Sequence, residues 1–524
     1  MTANTRWRLR HWWHQVGRPQ RLALLVGVVV TLVRLSLVGK GTMAFIDERR
    51  YITAMLGLRE LCAGHGLAFL QAIHSMGARP GDGLWRVIPG LGQAALLLGL
   101  GLNPNAPPSL QAPQAFNVLI ISANALLLYK IYRRFFGVGL ALLGVALYSS
   151  LVNTNVYLRH LLPYDHALFF FLGALWLLLS APKDRLLRRY ALVGFLAGIS
   201  YAVYPGYFMG PALLLVVGAA RLLSPQAELR QPYRFWPVAG LLLGFLAVLA
   251  FLELSARAAG TSYFASSRYI AGTILQGSFA EGFSFIGQYY WAVEKWLGAG
   301  LLLLFGAGLL RCGRASFSSA GHISVVSIEL QSLVIGAFAA WLGYACLVAL
   351  GHQLVFYGRI LHFFAPFVVL GALVALQAIT TRPRLARWTV GLGLVVAVVS
   401  FADFVRAYRQ VDYPCDVAYR HGILDVRQIA AIQTTGCEPS VLNYRLFGPA
   451  IRNRPTRPTP RYRLVNFAYL YPLTCYRPVP LPAGRVVATT PYFIKYAPYQ
   501  FEGHSGAERA LLRQYAFDFV IVGE

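Results

Sequence analysis

The chain has 524 residues, of which 57% are hydrophobic and 13% charged, with a mean hydropathy of +0.54. That composition leaves too little polar surface for a soluble domain and implies many membrane-spanning helices. The formal charge of +27 does not argue for a nucleic-acid partner. Arg and Lys fall in short clusters between apolar runs, the pattern of cytoplasmic loops that hold a membrane orientation.

In chain order, a basic start with Arg6, Arg8, Arg10, Arg18 and Arg21 precedes a first apolar helix over about 22–38, which carries no small-residue cleavage site and reads as a retained span. The next clear helix, near 115–132, ends in Lys130, Arg133 and Arg134, which belong inside. The intervening residues 39–114 then form one outside loop, in which the apolar stretch 87–102 lies along or dips into the interface, since a span there would invert every later basic loop. Further helices are expected near 138–156, 164–181, 190–204, 207–223, 237–256, 295–310, 330–350, 360–379 and 387–404. Loops on the inside carry Lys183 and Arg185, Arg230 and Arg234, Arg311 and Arg314, and Arg382 and Arg384. The fold expected is an all-α polytopic bundle of about eleven spans, over 1–404, with juxtamembrane helices in the first outside loop.

From 405 to 524 long apolar runs vanish and Tyr, Pro and Arg rise. Residues 485–489 and 517–522 read as strands, and 505–515 as a helix with a Ser start and a Glu three residues on. This predicts a small α/β module on the outer side, in which Cys415, Cys437 and Cys475 allow one disulfide of unassigned pairing. Its many arginines, Arg445, Arg452, Arg454, Arg461 and Arg463 among them, read as a solvated basic surface or as a contact for anionic head groups.

Acidic residues are scarce, 20 in the whole chain, and carboxylates at a membrane edge are costly enough to mark function. Three outside junctions concentrate the chemistry. FIDERRY (45–51) places Asp47 and Glu48 directly after the first helix, with Tyr51 following; the plain alternative is an acid pair favoured by a helix dipole. YLRHLLPYDHALFFF (157–171) sets Asp165 beside Arg159, His160 and His166, where the alternative is a capping Asp after Pro163. HQLVFYGRILHFFAPF (352–367) offers His352, Tyr357, Arg359 and His362, where Arg359 either grips a phosphate or snorkels to head groups. Arg34 and Lys40 are further cations near the first junction, and Arg79 and Asp82 stand in a loop turn.

In order, these junctions resemble the GT-C superfamily of membrane glycosyltransferases, in the group holding protein O-mannosyltransferases and lipid A aminoarabinose transferases. The matching features are DExRY after the first helix, an outside R-x-x-x-P-x-D, and Y-x-R-x-L before a Pro-containing helix. IDERRYITAMLGLRE (46–60) matches best. The resemblance covers roughly 22–405. It implies a sugar donor carried on polyprenyl phosphate, used outside the cytoplasm, with no cofactor and no metal demanded. It also implies Asp47 as the catalytic carboxylate with Glu48 in support, Asp165 at the second acidic position, and Arg359 on the donor phosphate, with His362, Arg159 and Lys40 as neighbouring phosphate contacts and Tyr51, Arg79 and Asp82 towards the acceptor. RPGDGLWRVIP stands where that group commonly has a proline-rich, Lys-containing stretch, so the acceptor is left open.

The function expected is therefore transfer of a sugar to a lipid, glycan or protein by an inverting displacement, in a bacterial inner membrane with the N-terminus cytoplasmic and the C-terminus periplasmic. A flippase or transporter of a lipid-linked saccharide explains the helices and the basic residues equally well. It does not account for DExRY at the root of a long loop, and the matched Gly/Pro-broken repeats of a transporter are not evident. A non-catalytic scaffold of an envelope assembly is the third reading.

Overall fold

The computed structural model describes residues 18–38, 57–75, 95, 98–99, 107–159, 162–180, 186–223, 236–275, 290–317, 327–350, 358–380 and 382–409, and the segments 429–432, 462–466, 485–491 and 517–523. Asp47, Glu48, Lys40, Tyr51, Arg79 and Asp82 lie outside the described residues. So do nearly all of 87–102, the expected helix 505–515 and the three cysteines of the tail.

The described membrane part is helical throughout. Its helices are α1 (Arg18–Ser36), α2 (Gly66–Ser75), α3 (Pro107–Phe135), α4 (Val138–Ser150), α5 (Val152–Asn155), α6 (Tyr164–Leu179), α7 (Leu186–Val203), α8 (Met209–Leu223), α9 (Trp236–Ala258), α10 (Tyr263–Leu275), α11 (Lys295–Phe317), α12 (Ile328–Ala349), α13 (Gly358–Ile379) and α14 (Pro383–Arg409). Short 3₁₀ turns follow α5 (Val156–Arg159) and α7 (Pro205–Tyr207), and a π-helical turn (Tyr290–Glu294) leads into α11.

Among the described residues eight helices are long and apolar enough to cross a membrane, and nine if the pair Val138–Ser150 and Val152–Leu158, bent by 68°, counts as one span. Two expected spans are shorter apolar helices here, Leu24–Ser36 and Tyr164–Leu179. At 1.5 Å per residue, the 16 residues of α6 extend about 24 Å, less than the roughly 30 Å hydrocarbon core. The chain is a multi-pass membrane protein.

α13 is the central post. In its apolar window 89% of residues are buried, against 11% for α14, whose Leu392, Val395, Val398 and Val399 face outward. Lipid is as apolar as leucine, so helices associate through close packing and polar contacts rather than through the hydrophobic effect. Glycines supply the close packing where α7 crosses α9. A Cβ on Gly194 would meet the Leu241 carbonyl and one on Gly244 the Ala191 carbonyl, so the two backbones touch. Gly194–Gly198 and Gly240–Gly244 are both spaced as small-xxx-small. Gly308 meets the Gly371 carbonyl in the same way where α11 crosses α13.

α1 is a peripheral helix with Leu24, Leu25, Val28 and Leu32 exposed, held to α3 by a Thr31–Ser122 hydroxyl hydrogen bond of 2.8 Å. At the opposite end of α3 stand the basic groups: Lys130 lies 4.6 Å from the Trp176 ring centroid, Arg133 donates to the Phe136 carbonyl at 2.7 Å, and Arg221 donates to the Leu178 carbonyl.

In the tail, β1 (Ile429–Ile432), β2 (Tyr462–Asn466), β3 (Arg485–Pro491) and β4 (Phe517–Gly523) form one sheet in the order β1-β2-β4-β3. β1 pairs with β2 in parallel, while β4 is antiparallel to β2 and β3. The strands expected over 485–489 and 517–522 coincide with β3 and β4.

Candidate functional site

The span begun by α4 breaks at Leu151, which adopts an extended conformation (φ −62°, ψ 136°) before α5 leaves in a new direction. A helix break leaves N–H and C=O groups without intrahelical partners, and where the break is buried water is not there to satisfy them. Here side chains do so. The amides of Val152 and Asn153 donate to the two carboxylate oxygens of Glu294, each at 2.7 Å. The Asn155 side-chain amide donates to the carbonyls of Ser149 (2.8 Å) and Leu151 (2.7 Å), and its oxygen accepts from Arg34 Nε at 2.8 Å. Arg34 Nη2 donates to the Ser149 carbonyl at 3.1 Å. Hydrogen bonds to a charged group contribute about 1.5–3 kcal/mol each, so Glu294 and Arg34 offset much of the cost of their own burial by closing the break.

Asp165 sits in the first turn of α6, after Pro163 at the helix start. Pro163 is the N-cap residue and has no side chain that can cap. The Asp165 carboxylate Oδ1 meets His362 Nε2 at 3.1 Å, with both side chains buried. His362 Nδ1 lies 3.2 Å from the Asn153 carbonyl. A carbonyl only accepts, so Nδ1 carries a hydrogen. Nε2 faces the carboxylate, so the imidazole bridges the Asn153 carbonyl and Asp165. Arg34 is close enough to Asp165 for their charges to interact.

Around this pair the described side chains are polar or aromatic. Asn124 Nδ2 donates to the Asp165 main-chain carbonyl at 3.0 Å. Gln114, Asn117 and Asn124, spaced three and seven apart on α3, are all buried. His166 packs on Phe116 with ring centroids 5.6 Å apart, and neither ring nitrogen has a hydrogen-bond partner. An edge-to-face series runs from His362 to Tyr157 (5.4 Å), Tyr164 (4.7 Å) and Tyr204 (4.9 Å). The far end of α14 covers the 3₁₀ turn, where Tyr408 donates to the Val156 carbonyl at 3.0 Å and Phe401 lies 5.8 Å from the Arg34 guanidinium. α13 contributes a weak point of its own, because Pro366 has no N–H to give the carbonyl of His362 four residues earlier.

Of the residues expected from the sequence, Asp165 and His362 are brought together across 197 positions. Arg159 ends the 3₁₀ turn after α5, and Arg359 is the second residue of α13, one turn before His362; their side chains lie outside the description. Glu294, Asn153, Asn155 and Asn124 were not singled out. Glu294 carried a readable signal, as an acid at a membrane edge in an acid-poor chain. The asparagines carried only their polarity within an apolar run. Among the described residues no group of three or more His, Cys, Asp or Glu side chains converges as a metal site would require.

No family model matches the sequence, and no curated protein matches it. Solved structures similar to this chain include ArnT from Cupriavidus metallidurans bound to undecaprenyl phosphate, at 13% identity over 90% of this chain and 96% of that one, with a TM-score of 0.49. They also include the Archaeoglobus fulgidus oligosaccharyltransferase in complex with zinc and sulfate, at 12% identity over 83% of this chain and 59% of that one, with a TM-score of 0.42.

Proposed function

We propose that the protein is an integral-membrane glycosyltransferase that moves a sugar from a polyprenyl-phosphate donor to a lipid, glycan or protein acceptor on the outer face of the membrane. The observation that carries this reading is the buried Asp165–His362 pair with Arg34 beside it, set against the break in a membrane span. Ionisable groups buried within a membrane bundle are expensive to maintain and mark a site. This set can exchange a proton and offset a phosphate charge.

In the reaction, the acceptor hydroxyl oxygen attacks the anomeric carbon while its proton passes to a carboxylate. The bond from that carbon to the donor phosphate oxygen breaks, and polyprenyl phosphate leaves with the electron pair. One displacement inverts the anomeric centre. The leaving group needs charge stabilisation more than a strong acid, and nearby cations supply it. By the first-loop motif, Asp47 is the base, with Glu48 in support and Arg359 and Arg159 towards the phosphate. The eleven-span topology with the first loop outside, in a bacterial inner membrane, belongs to the same proposal.

The test is transfer from a panel of polyprenyl-phosphate sugars by the wild type, Asp47→Asn and Asp165→Asn at matched folded amounts. Transfer by the wild type that falls in both variants is the expected result. Unchanged transfer in Asp47→Asn removes it from the mechanism. Movement of a lipid-linked saccharide across vesicles without any transfer replaces the reading with a flippase.

A further inference from the structure

Glu294 takes no part in the transfer chemistry, yet it is built into the site. Three features converge on this residue. Its carboxylate is buried and spent entirely on the Val152 and Asn153 amides. It closes a π-helical turn, a rare form that is frequent at functional sites. The next residue, Lys295, has φ 53°, the only non-glycine with positive φ among the described residues, and such strain persists only where its surroundings impose it. Lys295 is tied down by Asp403, 2.8 Å from its Nζ. Gly298 is required at the next turn of α11, since a Cβ there would lie 2.5 Å from Glu294 Cβ and 2.9 Å from the Tyr290 carbonyl oxygen.

The other side of the clamp is the site itself. The residue whose amide Glu294 holds, Asn153, offers its carbonyl to His362, which in turn meets Asp165. Two residues on, Asn155 holds Arg34. α5 is thus a four-residue connector, fixed at its start by one carboxylate and in contact with both His362, the partner of Asp165, and Arg34.

We infer that Glu294 is a positioning residue: by clamping the start of α5 it sets the register of His362, Asp165 and Arg34 for the transfer reaction. The inference rests on the transferase reading. The clamp needs both oxygens free to accept, and so needs the ionised form. Burial outweighs the two backbone hydrogen bonds and pushes the Glu294 carboxyl up to about 7. It lies just before the span Lys295–Arg314. The described groups facing it are Tyr290 on its own turn, the Val152 and Asn153 amides of α5, His362 of α13 beyond Asn153, and Lys295, which turns to Asp403.

The signs separate positioning from plain structural support. The folded value lies above the ordinary 4.5, so the fold binds the extra proton. Ionised Glu294 therefore costs stability, and that cost disappears as pH falls from about 7 towards 4.5. Activity should run the opposite way, falling through the same window as the clamp loses an acceptor.

The experiment uses the full chain in lipid nanodiscs and a polyprenyl-phosphate sugar that the wild type turns over, comparing wild type with Glu294→Gln. A glutamine offers one acceptor and confronts the second amide with its own N–H. The expected result is a fall in kcat on the order of 10²-fold with KM little changed, and loss of the acidic limb that wild type shows near pH 7. Hydrogen exchange at the Val152 and Asn153 amides, corrected for intrinsic rates, should rise in the variant and in wild type below that pH. Retention of kcat, acidic limb and amide protection overturns the inference. If Glu294→Gln does not fold, the wild-type exchange series alone decides it, with protection unchanged across the window counting against. If wild type transfers nothing, the transferase reading fails, and exchange still decides the clamp.

Discussion

At the residue scale the centre is a division of labour among buried charges. Asp165 meets one imidazole nitrogen of His362, and the Asn153 carbonyl lies against the other. Replacing the carboxylate by an amide removes its charge while keeping its shape, so Asp165→Asn should lower transfer by about 10²- to 10⁴-fold, the range for a general acid–base group, with a melting temperature close to wild type. A glycosyl-transfer assay on equal folded amounts measures this, and activity within a few-fold of wild type would return Asp165 to a structural role. Gly298 makes a separate claim. Its Cβ would overlap Glu294 and Tyr290, so Gly298→Ala should move the π-helical turn and lower transfer as the loss of Glu294 does, with exchange at the Val152 and Asn153 amides rising in step.

At the element scale, two contacts set the frame. The α7–α9 crossing rests on backbone-to-backbone approach at Gly194 and Gly244. Gly194→Leu cannot be absorbed by a side-chain shift, because the obstacle is the Leu241 carbonyl. It should cost more than the roughly 1–3 kcal/mol of ordinary overpacking, read as a lowered thermal midpoint in detergent. α2 illustrates a pH-dependent contact. It docks through Ile73 onto a cluster with Ala202, Val248, Leu252, Ala256 and Tyr263. Beside it His74 is buried with neither ring nitrogen hydrogen-bonded. Burial holds the His74 imidazole below its ordinary 6.5, so the docked form binds fewer protons than the undocked one. Docking is then at full strength above about pH 6.5 and weakens as pH falls below it. Amide exchange over Gly66–Ser75 should rise on acidification in wild type and stay flat in His74→Leu.

At the scale of the whole molecule, the chain is polarised along the bundle. Lys130, Arg133 and Arg221 stand towards one end of α3 and α6, while Arg34, Asp165, His362 and Glu294 gather about the break between α4 and α5. The basic loops predict that the first end is cytoplasmic. A phosphatase reporter joined after Glu524 should therefore be active, and one joined after Arg134 inactive; the reverse would invert the topology and place the site on the cytoplasmic side.

Hydropathy and charge by themselves determined that this is a helical, multi-pass membrane protein and where its long apolar runs lie, because each helix must satisfy its own backbone in lipid and shows that need as an apolar run; they did not fix every end, since α3 begins at Pro107 and α11 runs to Phe317. They also marked Asp165 and His362 one at a time, since charge at a membrane edge is conspicuous in an acid-poor chain. Only the tertiary structure decided that these two residues form one pair, that the third expected span breaks at Leu151, and that Glu294 and Asn155 repair the break. The glycine spacings on α7 and α9 are visible in the sequence, but their partners are not. The physical reason is common to all of these. Periodicity and composition record what each residue wants from its surroundings, whereas a hydrogen bond between residues 153 and 294, or 165 and 362, depends on which helices lie side by side, and apolar helices in lipid carry little local information about that choice.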